Sequence, residues 1–398
     1  MGNFYDFFAV LIRPCRRGEL QGKVAHERNF ESHRMIKLLH VLFPIVAVAL
    51  AAGAALIGTA GVAAMPLGGV LFYGIAGIVL IGTVFAAIHH AETIAHLVGE
   101  PFGTLVVTIA VTVIEVSLIA SIMLDGEGNA ALARDTVFSV IMIVCNGLVG
   151  LCLLLGGLRY REQAFSEQGA SAYLSVLVVL AGITLVLPNY TTTTPGPIFS
   201  VGQLEFVSAM TIALYLVFLF IQTVQHRDYF VQNDAGHAGK AAGGASGLRQ
   251  SLIGSGWLVL ALLGVILLAK KLAAGVASGL AALGAPPAAA GVFLAMLVLL
   301  PEVGIAVRAA RQNDLQRSIN AALGSTLATI GLTIPAVAVV TLALGQQLVL
   351  GLDPKDSELL LLTFAISFLS FGTGRTNMLM GFVHLVMFAV FLFLTLVP

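Results

Sequence analysis

Long apolar runs alternate with short polar breaks along almost the whole chain, and the runs are too long and too apolar for the strands of a globular protein. Windows of about 20 apolar residues read as membrane-crossing helices. They fall near residues 38–59, 66–88, 102–124, 136–157, 172–188, 204–224, 252–270, 289–308, 319–344, 357–373 and 379–396. The pattern predicts an all-α polytopic membrane protein with 11 transmembrane helices. Many runs carry glycine, which membrane helices tolerate more often than soluble ones.

One polar break is far longer than the others. Residues 226–250 (HRDYFVQNDAGHAGKAAGGASGLRQ) are rich in Gly and Ala and have the composition of a flexible linker. The organisation this implies is a basic segment over 1–37, an extra first helix over 38–65, a five-helix set over 66–225, the linker over 226–250, and a second five-helix set over 251–398. Five is odd, so the second set enters the membrane upside down relative to the first. Such inverted repeats place a binding site near the midplane, where the two repeats meet.

Composition agrees with this picture. The chain of 398 residues is 58% hydrophobic and 10% charged, against about 25% charged in a soluble domain. The formal net charge is zero, which argues against a nucleic-acid partner. Cys15, Cys145 and Cys152 form no spaced metal or disulfide cluster. Residues 1–37 lack a long apolar core ahead of a small-residue cleavage site, so no cleavable signal is expected there. The basic residues set the orientation. With the N-terminus in the cytoplasm, Arg13, Arg16, Arg17, Lys23, Arg28, Arg34, Lys37, Arg159, Arg161, Arg227, Lys240, Arg249, Arg308, Arg311, Arg317 and Arg375 lie inside. Only Arg134, Lys270, Lys271 and Lys355 lie outside. The positive-inside bias therefore predicts N-in and C-out.

Glu115 is the only charge in the run Leu105 to Leu124, and Glu302 repeats the arrangement in Ala288 to Val307. A charged side chain at the centre of a membrane helix costs about 2.5–3.5 kcal/mol on insertion scales, and such groups mark ion or proton pathways. Aligning Val111–Ala120 with Val298–Val307 matches Val, Glu and Val. Each Glu is followed by a polar loop and then a helix rich in Gly and small polar residues. Pro301, just before Glu302, removes a backbone donor and frees a carbonyl one turn earlier. Freed carbonyls are good ligands for hard cations. In the helix over 319–344, Ser325 and Thr329 are candidate oxygen ligands, and Asn146 sits at the corresponding depth in the first half. The same small residues also suit plain helix packing. Glu115 and Glu302 are the expected direct cation ligands.

The segment HHAETIAHLVGEPFG carries His89, Glu92, His96 and Glu100 on what would be the cytoplasmic side. These four residues could form a cytoplasmic ion entrance, or simply a solvated interfacial helix. No metalloprotease, nucleophile-elbow, P-loop or dinucleotide motif stands in a usable context, so an enzyme is not expected. No cofactor is implied. The expected partners are cations, protons and the lipid bilayer.

Several long motifs carry a resemblance. HAETIAHLVGEPFGTLVVTIAVTVIEVSLIASIM, RDTVFSVIMIVCNGLVGLCLLLGG, PEVGIAVRAARQNDLQRSINAALGSTLATIGLTIP and SFGTGRTNMLMGFVHL resemble the ChaA-type bacterial cation/proton antiporters, in the CAX branch of the calcium:cation antiporter superfamily. The resemblance runs from about residue 36 to the C-terminus. It implies an extra N-terminal helix, two inverted five-helix repeats and a bacterial inner-membrane location. It also implies alternating-access exchange in which protons enter and Ca2+ leaves, with Na+ or K+ as alternative cations; the residues by themselves leave a cation channel as the further alternative. The family's repeat acids fall on Glu115 and Glu302, and its small-residue helices on the segments of Asn146 and Ser325. Eukaryotic members have Gly-Asn-Ala-x-Glu before each acid, whereas this chain has VTVIE and LLPE.

Overall fold

The computed structural model describes residues 22–57, 68–98, 102–124, 130–230, 245–282, 284, 286 and 288–397. Nearly all of them are helical. In chain order the helices are α1 (Gly22–Ile57), α2 (Gly68–Val98), α3 (Phe102–Leu124), α4 (Leu132–Tyr160), α5 (Glu167–Tyr190) and α6 (Val201–Gln225). They continue as α7 (Ala245–Ala282), α8 (Ala288–Arg311), α9 (Leu315–Ala343), α10 (Pro354–Phe371) and α11 (Met378–Leu396). Eight helices among the described residues are long and apolar enough to cross a membrane; they lie in α1, α2, α4, α5, α6, α7, α9 and α11. The helices turn soluble-protein logic inside out. Leu361, Leu369 and Phe393 are exposed, while Glu115, Asn146, Thr329, Thr333 and His384 are buried. Exposed apolar rods with polar interiors suit a solvent of lipid.

The chain divides into two compact units, with the division inside α3 between Ile114 and Glu115. The first unit holds α1, α2, the start of α3 and most of α7. Here α1 contains Pro44. Proline has no N–H, so the carbonyl of His40, one turn earlier, loses its helical donor. His90 Nε2 lies 3.3 Å from that carbonyl oxygen and supplies a replacement from α2. Thr83 Oγ1, whose shorter bond at 2.7 Å is to Val79 O in its own helix, shares its proton with Phe43 O at 3.2 Å. The bonds to His40 O and Phe43 O tie α1 to α2.

The second unit holds α4–α6, α8–α11 and the part of α3 that carries Glu115. Its α4 and α11 meet backbone to backbone. A Cβ at Gly381 would lie 2.6 Å from Leu154 N, and one at Gly150 would lie 3.0 Å from Gly381 O. Glycine at both positions permits the approach.

The all-α expectation needs one amendment. β1 (Glu162–Ala164) and β2 (Arg375–Asn377) pair antiparallel, with Gln163 opposite Thr376. Three residues are too few to show a strand's alternation in sequence, so the pair was invisible to a hydropathy reading. It joins the α4–α5 loop to the α10–α11 loop. A second contact, the bridge Ile198↔Val349, joins the α5–α6 loop to the α9–α10 loop.

Candidate functional site

The site is built around α9. Over Thr329–Thr333 this helix widens into a π turn, and Pro335 follows two residues later. Ser325, Thr329 and Thr333 recur every fourth residue. In an ideal α-helix such a stripe drifts by about 40° per step. The wider π turn opposes that drift and keeps the hydroxyls on one face. Single π turns inside α-helices recur at functional sites.

The stripe meets both acids. Thr329 Oγ1 donates to Glu115 Oε2 at 3.1 Å, and Thr333 Oγ1 donates to the same oxygen at 2.7 Å. Ser325 Oγ donates to Glu302 Oε1 at 3.3 Å. Glu115 is 1% exposed, so water does not compensate its charge. The remaining oxygens, Glu115 Oε1 and Glu302 Oε2, are buried and have no hydrogen-bond partner among the described residues. Glu115 is buried and Glu302 half-buried; each has one oxygen held and one open, and together they form a donor set for a hard cation or for protons. The described residues contain no group of three or more His, Cys, Asp or Glu that could hold a metal ion.

Four of the sequence candidates are thus brought together: Glu115, Glu302, Ser325 and Thr329. Thr333 joins them, and the sequence reading missed it. Its signal was the fourfold spacing from Ser325 through Thr329. Asn146 is placed elsewhere. It lies in a π turn of α4 over Ile143–Leu148, and its Nδ2 donates to Thr363 Oγ1 at 2.8 Å. Its Oδ1 lies 3.3 Å from His384 Nδ1, and His384 Nε2 lies 3.0 Å from Ser370 Oγ. The carboxamide is fully enclosed between α4, α10 and α11 and bonds to neither acid.

The entrance candidates lie in the first unit. The His89 ring packs 4.0 Å from His40 and 5.6 Å from His90, centroid to centroid. Glu92 is half-buried one turn further along α2. His96 lies on α2 with its side chain outside the described residues, and Glu100 is outside them altogether.

The architecture and the acid pair within the helices define a class, that of multi-pass membrane transporters for small ions. The chain belongs to the sodium/calcium exchanger protein family, whose model matches residues 67–224 and 253–397. That family consists of transporters, not enzymes. The chain is 49% identical over 320 residues to the putative ionic transporter y4hA of Sinorhizobium fredii, covering 80% of this chain and 87% of the relative. It is 38% identical over 320 residues to the sodium-potassium/proton antiporter ChaA of Escherichia coli, covering 79% and 85%. Among solved structures, native YfkE matches with a TM-score of 0.67 at 16% identity, over 90% of this chain and all of that one. The H+/Ca2+ exchanger CAX matches with a TM-score of 0.63 at 13% identity, over 89% and 88%. These two likenesses concern the fold alone.

Proposed function

We propose that the protein is a cation/proton antiporter that exports Ca2+ in exchange for protons by alternating access, with Glu115 and Glu302 as the groups for which cation and protons compete. The observation that carries this reading is the pair of acids, Glu115 buried and Glu302 half-buried, joined by the hydroxyl stripe of α9. A bare carboxylate away from water is costly. Each acid is therefore most stable when neutralised, either by its own proton or by a shared cation. The protonated carrier and the cation-loaded carrier can both reorient, and the empty charged carrier is disfavoured. That penalty couples the two fluxes.

The proposal includes 11 transmembrane helices: an extra first helix over 38–65 and inverted repeats over 66–225 and 251–398. The cytoplasmic face carries the segment 1–37 and the linker 226–250. Two features of the second unit support the repeats. The π turns of α4 and α9 stand at matching distances after Glu115 and Glu302. The two loop pairings, β1 with β2 and Ile198 with Val349, exchange into one another when the first repeat is laid on the second. Asn146 enters the proposal as a residue beside the pathway, and His89, Glu92, His96 and Glu100 as a cytoplasmic approach to it.

A second reading, with Na+ or K+ as the exported cation, draws on the likeness to ChaA, whose name specifies sodium-potassium/proton exchange. In inverted vesicles, Glu302→Gln should abolish the collapse of a proton gradient on addition of any of the three cations. Full activity in that variant overturns the role of the acid. Separate additions of Ca2+, Na+ and K+ to the wild-type protein decide between the two readings.

A further inference from the structure

We propose that Thr333 is a specificity-determining residue of the exchange site, and that it acts by restricting Glu115 to a single oxygen for the cation. The inference rests on the exchange reading above.

Thr333 is completely buried, and its bond to Glu115 Oε2, at 2.7 Å, is shorter than that of Thr329 to the same atom, at 3.1 Å. A hydroxyl has one proton to donate. Both threonines spend theirs on Oε2, so this oxygen carries two donors while Oε1, also buried, has no partner among the described residues. Glu302 shows the same division in weaker form, with Ser325 on Oε1 at 3.3 Å and Oε2 open. Each acid therefore faces a cation through one oxygen. The two hydroxyls that hold Glu115 keep their lone pairs and can add neutral oxygen ligands.

This division matters because cations differ in how many oxygens they require. Ca2+ takes 6–8 oxygens, and carboxylates often serve it in bidentate fashion. A monovalent ion is satisfied with less anionic charge and accepts single carboxylate oxygens and hydroxyls. Two donors on Oε2 oppose bidentate capture by Glu115 and so narrow the margin of Ca2+ over a monovalent ion. Thr333 holds the balance because its bond is the shorter of the two and because it sits at the far edge of the π turn. Without that turn its hydroxyl would drift off the stripe.

The experiment uses the full chain in proteoliposomes, with KM for Ca2+ and for Na+ measured by cation-driven proton movement. Thr333→Val keeps the shape and removes the donor. It should lower the ratio of the Ca2+ KM to the Na+ KM by about threefold to tenfold, the span of one net hydrogen bond. Thr333→Ser restores the donor and should return the ratio to the wild-type value. An unchanged ratio in Thr333→Val, or an equal shift in Thr333→Ser, overturns the proposal. Should the valine variant fail to accumulate, Thr333→Ala must show the same fall, and its absence is equally decisive. A wild-type protein that moves no cation against protons sinks the exchange reading itself. A wild-type protein that exchanges normally, beside variants with a fixed ratio, sinks only the role of Thr333.

Discussion

A histidine buried in a membrane helix persists only when its ring nitrogens find partners, and His384 finds Asn146, Ser370 and the backbone of Cys145. Asn146 Oδ1 only accepts, so His384 carries its proton on Nδ1, and Nε2 accepts from Ser370. Replacing His384 with Phe leaves the Asn146 oxygen and the Ser370 hydroxyl without these partners inside a packed bundle. Buried orphans cost about 1–3 kcal/mol each in soluble proteins. Hydrogen bonds between membrane helices average nearer about 0.6 kcal/mol. A loss of about 1–3 kcal/mol in total is expected, read as a lower unfolding midpoint in detergent. The KM for the exported cation should stay at its wild-type value, because the network touches neither acid. A shifted KM with an unchanged midpoint would place His384 in the transport path instead. The residue scale also shows what a sequence discloses. Glu115 and Glu302 were legible because a lone charge in an apolar run has no other explanation as simple. Ser325 and Thr329 followed from depth. Thr333 was signalled only by its spacing from Ser325 and Thr329, which a π turn brings to bear, and the partners of Asn146 were not legible, since they depend on how α10 and α11 wrap α4.

Helices impose their own requirements, and the crossing of α4 with α11 is the most demanding. Gly150 and Gly381 let the two backbones touch, and a Cβ at Gly381 would meet Leu154 N at 2.6 Å. Backbone cannot swing aside as a side chain does, so the helices themselves must part. Gly381→Val should therefore lower the unfolding midpoint strongly and reduce the amount of protein inserted. Gly182 in α5 has nothing within 4 Å of the position a Cβ would take, so Gly182→Ala should be nearly neutral. Equal effects at the two glycines would refute close packing as the cause. The helices themselves were largely legible, because hydropathy registers burial in lipid. Their ends were not. α1 begins at Gly22 and α7 runs from Ala245 to Ala282, both well beyond their apolar windows. Helical backbone continues into polar sequence wherever no proline or glycine stops it, and hydropathy is blind to that.

At the scale of the whole molecule, the loops of the second unit sort into two ends by their bonds. At one end, Gln163 Nε2 donates to Ala310 O at 3.0 Å and Tyr160 OH donates to Arg311 O at 3.0 Å. Ser166 N also donates to Gln316 Oε1 at 2.7 Å, and β1 pairs with β2. At the other end, Asn189 Nδ2 donates to Leu352 O at 2.6 Å and Val349 N donates to Ala130 O at 3.0 Å. The first end carries Arg159, Arg161, Arg227, Arg308, Arg311, Arg317 and Arg375, and the second only Arg134 and Lys355. Basic residues stay on the cytoplasmic side because translocating them is unfavourable. The basic end should therefore be cytoplasmic. α11 starts at that end, directly after β2, and runs the length of the unit to Leu396. Its C-terminus should emerge on the opposite face. Alkaline phosphatase fused after Pro398 should be active in intact cells, while a green fluorescent protein at the same point should stay dark. A cysteine placed in the α4–α5 loop should react only with reagents that cross the membrane. The reverse pattern of all three signals would invert the orientation.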